Sequence, residues 1–227
     1  MSGFKNKDLN SFAKKSIFND LINFIFISLD NMKQVHIFKN EKIQNNEEKI
    51  RTHLVANYLN NDEFRNSIGY NTLMLRFDIE VPENYKREEE KHLGRMDIRV
   101  ITPNFFKNSK DYYNIECKRI DGSKTLNELF VKEGICRFVL ENSKYLSYHN
   151  RNIMLAFVVK NIDIEQNINQ INQIQIENKD IKVIQELQRN GMNRRQYYLY
   201  ESRYVNENQQ LELSHMFYDL SNIVSRK

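Results

Sequence analysis

A chain of 227 residues, 40% hydrophobic and 28% charged, is long enough for one domain with a real core. Its 14 Phe and 12 Tyr exclude a disordered chain, and two prolines with six glycines leave no Pro/Gly-rich linker at which to divide it. A net charge of +4 suits a polyanionic partner but excludes a histone-like tail.

Residues from about Asp8 to Phe38 have the helical spacing Ile17, Leu21, Ile22, Ile25, Leu29. The most apolar part, Ile17 to Leu29, is too short to span a bilayer and carries Asn19, Asp20 and Asn23, so no membrane segment is expected. After a polar break, a second helix is expected over Glu47 to Leu59, with acidic residues in its first turn and Asn60–Asp62 as its stop. Strands follow: Leu73 to Val81, then a charged connection from Pro82 to Lys91, then Arg95 to Thr102 with Met96, Ile98 and Val100 on one face. A turn-rich loop from Pro103 to Lys110 leads to a strand from Tyr112 to Ile120. A helix over Thr125 to Glu141 and a strand over Asn152 to Lys160 come next. Asn161 to Lys179, rich in Asn, Gln and Ile, reads as a loop or an irregular helix. Ile181 to Asn190 reads as a short helix stopped by Gly191, and Gln196 to Tyr204 and Leu211 to Asp219 as strands. The order implies an α/β domain with a central mixed β-sheet flanked by helices.

The tripeptide Glu-x-Lys occurs four times: Glu47–Lys49, Glu89–Lys91, Glu116–Lys118 and Glu177–Lys179. Only Glu116 and Lys118 lie in a strongly β-prone segment, where residues two apart share a face. Asp97 is an acid within an alternating strand. If the two strands pair as a hairpin, Asp97 comes to lie beside Glu116. Two carboxylates at that distance repel unless a cation sits between them, and a hard divalent ion, Mg2+ or Mn2+, suits oxygen ligands. Such an ion polarises a phosphate and acidifies a bound water, and a lysine orients that water or offsets charge on the phosphate. The bland alternative is a surface ion pair.

Asp97, followed one loop later by Glu116-Cys117-Lys118, resembles the PD-(D/E)xK nuclease superfamily with its restriction-endonuclease-like fold. The resemblance covers roughly residues 45–160, and Met96 departs from it by standing where the motif has proline. It implies a catalytic set of Asp97, Glu116 and Lys118, completed by Glu47 or Glu48 on the preceding helix, Glu47 being nearer the apolar stripe. It also implies a metal held by Asp97, Glu116 and the Cys117 main-chain carbonyl. Arg119, Arg137, Arg194 and Arg195 are candidate nucleic-acid contacts, although Arg137 also suits a helix-surface ion pair. Residues 1–40 are expected to form an N-terminal helical extension and 41–227 the nuclease domain. The extension is a candidate surface for a homodimer or a partner protein. The function implied is a metal-dependent nuclease acting on nucleic acid, DNA before RNA, in restriction or anti-phage defence. The competing reading is a non-catalytic binding subunit that keeps the fold. Cys117 and Cys136 form neither a CxxC nor a zinc pattern, and with no signal peptide they are expected to be reduced thiols of a cytoplasmic protein. Tyr198, Tyr200 and Tyr204 read as one core-facing side of a strand, and His215 as a structural histidine of an apolar strand, with a polar pair to Asp219 as the alternative.

Overall fold

A computed structural model describes residues 7–71, 73–86, 90–140, 145, 149–190, 197–206 and 209–225. The chain opens with a long helix, α1 (Lys7–Lys39). α2 (Glu47–Leu54) starts where the Asn46 side chain accepts the Lys49 N–H, and it runs on into a π-helical turn, Val55–Leu59. A one-turn-and-a-half helix, α3 (Asp62–Ser67), lies where a plain stop was expected; the Asn61 side chain caps it. Next come β1 (Arg76–Lys86), β2 (Lys91–Ile101), a 3-10 turn (Pro103–Phe106) and β3 (Tyr112–Ile120). The helix after β3 is α4 (Lys124–Phe130), a π turn (Val131–Ile135) and α5 (Cys136–Val139) in one run. β4 (Arg151–Val158), α6 (Ile164–Glu177), β5 (Val183–Arg189), β6 (Tyr198–Asn206) and β7 (Gln209–Asp219) complete the order.

The seven strands form one sheet in the order β1-β2-β3-β4-β7-β6-β5. β3, β4 and β7 run parallel to one another and the flanking strands pair antiparallel, so the sheet is mixed, as the strand and helix patterns imply. Alternation along the central strands builds two cores. Ile115, Cys117, Ile153, Leu155 and Phe157 face α1 and α2. Ile120, Met154, Ala156 and Val158 face α4, α5 and α6.

Three expectations fail for local reasons. Pro82 to Lys86 is not a connection but the continuation of β1, with Pro82 opposite Arg95. β1 is an edge strand, the place in a sheet where proline is tolerated. The segment read as a helix over Ile181 to Asn190 is β5, paired with β6. Its register shifts twice, between Val183 and Gln185 and again between Gln185 and Gln188. Burial nevertheless alternates along it: Ile181 and Leu187 are buried, Val183 and Gln185 half-buried, and Ile184 is 48% exposed, so a polar Gln185 on the inner side and an apolar Ile184 on the outer one mimic a helical period in the sequence. Met96 joins the second core whereas Ile98 and Val100 join the first, so the face of β2 does not hold through Asp97. Asn161 to Lys179, left between loop and helix, contains the 14-residue α6, with Asp163 as its cap. Gly191, Arg194 and Arg195 lie outside the described residues. Among the described residues no helix is long and apolar enough to cross a membrane.

Candidate active site

The site arises where β2 and β3 part. Their pairing runs from Ile101↔Tyr112 to Ile98↔Ile115 and stops there, while β3 continues beside β4 as far as Ile120↔Val158. Beyond Ile115, β3 therefore has N–H groups with no partner strand. Side-chain carboxylates take them. Asp97 Oδ2 accepts the Cys117 N–H at 2.7 Å, and Glu47 Oε2, from the first turn of α2, accepts the Arg119 N–H at 3.0 Å. Two acids of the expected set are thus pinned to the strand that carries the other two members.

Glu116 and Lys118 emerge on one face of β3, as their spacing dictates, and Lys118 Nζ donates to Glu116 Oε1 at 2.6 Å. Lys118 Nζ also lies 2.8 Å from the Cys117 carbonyl oxygen and 3.3 Å from Glu47 Oε1. Asp97, Glu116, Lys118 and Glu47 come together. Of the two acids left open on the second helix, it is Glu47 that makes these contacts.

Cations that sequence reasoning left aside enclose the acids. Arg51 donates to Asp97 Oδ1 and, at 2.5 Å, to Glu80 Oε1. Glu80 sits between the pairs Ile79↔Ile98 and Val81↔Met96 with φ 56, an uncommon backbone for a non-glycine residue, and Arg95 holds its other oxygen. Arg51 lies four residues after Glu47, on the same face of α2. That spacing was a signal for it. Tyr145 had none, because its segment carries no periodicity. Its hydroxyl is 2.7 Å from Glu116 Oε2 and 2.6 Å from the Arg95 carbonyl oxygen, spanning the gap between β3 and β2. Arg137 Nη1 approaches Glu116 Oε1 at 3.1 Å and donates to the Tyr145 hydroxyl at 2.6 Å. Arg137 also meets Glu133, so the helix-surface pairing expected of it exists alongside the pairing to Glu116. Arg119 donates through Nη1 to the Asn45 carbonyl and side-chain oxygens, both at 2.9 Å, which ties it to the approach to α2.

Burial raises Glu116 from 4.5 to about 7; Asp97 adds to the rise, and Lys118 and Arg137 oppose it. Burial works against the Lys118 ammonium, yet Glu116, Glu47 and Asp97 hold its pKa above the ordinary value. For Arg51 likewise, burial is outweighed by Asp97 and Glu80. Burial pushes the Cys117 thiol well up, with Asp97 and Glu47 adding to the rise, so its contribution to chemistry is its carbonyl.

Donor type suits a hard divalent cation: two carboxylates and a main-chain carbonyl, with Asp97 adding to the rise that burial imposes on Glu116. Among the described residues no three His, Cys, Asp or Glu side chains converge as a ready metal group. Glu47 faces Lys118 and the Arg119 N–H instead. A magnesium ion is commonly held by one or two carboxylates, with waters and substrate oxygens completing its shell, so two carboxylates are enough.

The tyrosines of β6 pack the second core: Tyr200 and Tyr204 are buried and Tyr198 packs against them. His215 and Asp219 form no pair. His215 Nε2 meets the Ser202 hydroxyl at 2.6 Å, while Asp219 takes Lys33 and the Ser221 N–H. No family model matches the chain, and neither a curated protein nor a solved structure matches it significantly.

Proposed function

We propose that this chain is a divalent-metal-dependent nuclease that cleaves phosphodiester bonds, in DNA before RNA, in a restriction or anti-phage role. The observation that carries the reading is the gathering of Asp97, Glu116, Glu47 and Lys118 at the parting of β2 and β3, with Lys118 Nζ between Glu116 and Glu47. Asp97, Glu116 and the Cys117 carbonyl are the atoms to hold the ion. When bound, such an ion supplies Lewis acidity at the phosphate and a water of lowered pKa. Lys118 offsets charge that develops on the phosphate, and Glu47 fixes the direction of its ammonium. The sequence Asp97, Glu116-x-Lys118 and its likeness to the PD-(D/E)xK superfamily support the same reading. So does the run of helix, three antiparallel strands, helix and parallel strand from α2 to β4. Assembly through the N-terminal helix belongs to this reading as well, since Val35, Ile37 and Phe38 are exposed near its end.

One observation favours a second reading, a binding subunit without catalysis. Arg51, Lys118 and Arg137 already occupy the carboxylates of Asp97 and Glu116. Plasmid DNA and RNA incubated with Mg2+, with Mn2+ or with EDTA separate the two. The nuclease reading expects cleavage with metal, none with EDTA, and a loss of about a hundredfold or more in Lys118→Ala and Asp97→Ala. Folded protein that binds nucleic acid yet cuts none with either metal establishes the second reading.

A further inference from the structure

Glu116 Oε1 accepts from Lys118 Nζ at 2.6 Å and has Arg137 Nη1 in ion-pair contact at 3.1 Å, while that nitrogen donates to the Tyr145 hydroxyl. Two cations already stand at that oxygen. The two donors differ in setting. Lys118 is held on three sides, by Glu116, Glu47 and the Cys117 carbonyl. Arg137 lies on the helix that covers this face and is 23% exposed, against 0% for the Glu116 side chain. Arg137 is the member that solvent, and a polyanion, reaches. Its guanidinium is also incompletely used: the buried Nε has no hydrogen-bond partner. Nε is closed off while Arg137 lies on Glu116, so a phosphate engages the edge formed by Nε and a terminal nitrogen once the guanidinium swings off the carboxylate.

We propose that Arg137 is a substrate-operated clamp: it neutralises Glu116 in the free protein, and a phosphodiester of bound nucleic acid draws it off, opening Glu116 to the divalent ion. The proposal rests on the nuclease reading for the class of substrate. It makes Arg137 a positioning residue that acts through Glu116. Tyr145 keeps Glu116 oriented throughout, because its bond is to the other oxygen. The physical consequence is linkage: nucleic acid tightens metal binding, and metal tightens nucleic-acid binding by the same factor.

The test titrates the full chain with Mn2+ and reads free Mn2+ by electron paramagnetic resonance. Titrations are run alone, with a cleavage-resistant phosphorothioate oligodeoxynucleotide, and with an uncharged methylphosphonate oligomer of the same sequence. The expected result is about tenfold tighter Mn2+ binding with the charged oligomer and no change with the neutral one. Asp97→Asn, which lacks a ligand, shows no such gain, so metal held by the oligomer's own phosphates is accounted for. Arg137→Gln binds Mn2+ tightly without any oligomer and has lost the coupling. Simple charge removal would also tighten Mn2+ binding in Arg137→Gln, but it would leave the coupling intact, and that outcome overturns the clamp. So does a wild-type protein whose Mn2+ affinity ignores the charged oligomer, a result that needs no variant to fold. Cleavage is assayed separately. Coupling without cleavage in any metal removes the nuclease reading and keeps the clamp, whereas cleavage without coupling removes the clamp alone.

Discussion

Glu116 has lost its water and stands close enough to Asp97 to feel its charge. Its carboxyl is accordingly raised from 4.5 to about 7. The sign of the stability effect follows. Between pH 4.5 and 7 the folded state binds the proton that the unfolded state has released, so this group's contribution falls as pH rises through that window. The full displacement corresponds to about 3 kcal/mol. His215 works in the opposite sense: burial lowers it to about 3, so its contribution is lost as pH falls below its ordinary 6.5. The two overlap in any wild-type profile, and a variant separates them. Relative to Glu116→Gln, the wild type is expected to gain stability steadily from pH 7.5 to pH 5 in thermal melts without metal. A difference that does not vary with pH would mean that Glu116 is not buried beside Asp97. The residues of this site differed in legibility for physical reasons. Glu116 and Lys118 announce themselves because a strand repeats every two residues, and Asp97 because an acid interrupts an alternating apolar run. Arg51 is marked only by its spacing from Glu47 and Tyr145 by nothing local, because both answer charges from other parts of the chain that the fold brings together.

At the scale of elements, the helical run of α4, its π turn and α5 lies very close to the sheet at Gly134. A Cβ there would stand 2.5 Å from Met154 Cε and 3.6 Å from Lys118 Cγ. Gly134→Ala pushes only the far end of a flexible methionine, and an alanine gains about 1 kcal/mol of helix propensity, so the two effects nearly cancel. Gly134→Val adds branching with a smaller such gain. It is expected to cost about 2 kcal/mol by overpacking in chemical denaturation and to weaken metal-dependent cleavage by displacing Lys118. If Gly134→Val proves as stable as the parent, the close approach does not exist. This contact also shows why elements were easier to read than their junctions. β3 was legible to the residue, because both its cores reward strict alternation. β5 was not, because an edge strand tolerates a polar Gln185 on its inner side and an exposed Ile184 on its outer one, and that exchange turns its sequence pattern towards a helical one. The parting of β2 from β3, which makes the site, leaves no mark in hydropathy at all.

At the scale of the whole molecule, α1 forms a wall of the first core rather than merely preceding the sheet. Phe18, Leu21, Ile22, Phe24, Ile25, Phe26, Leu29 and Met32 are all buried in that core. Each such side chain contributes up to about 1.5–3 kcal/mol by burial, so together they are comparable to the roughly 5–15 kcal/mol that separates a folded domain from its unfolded chain. Polar ties fix the packing. The Tyr197 and Tyr218 hydroxyls both donate to Asp30, and Lys33 donates to the Asp219 carbonyl at 2.7 Å. α1 also backs the helix that carries Glu47 and Arg51, through His36 and His53, whose Nε2 atoms lie 2.9 Å apart. Residues 41–227 expressed alone are therefore expected to be insoluble, or soluble without a cooperative thermal transition, and inactive in either case. A fragment that melts cooperatively would show that the sheet and its remaining helices hold without α1. If such a fragment also cut nucleic acid with a metal, Glu47 and Arg51 would not need α1 behind them, and the site would depend on the β2–β3 parting alone.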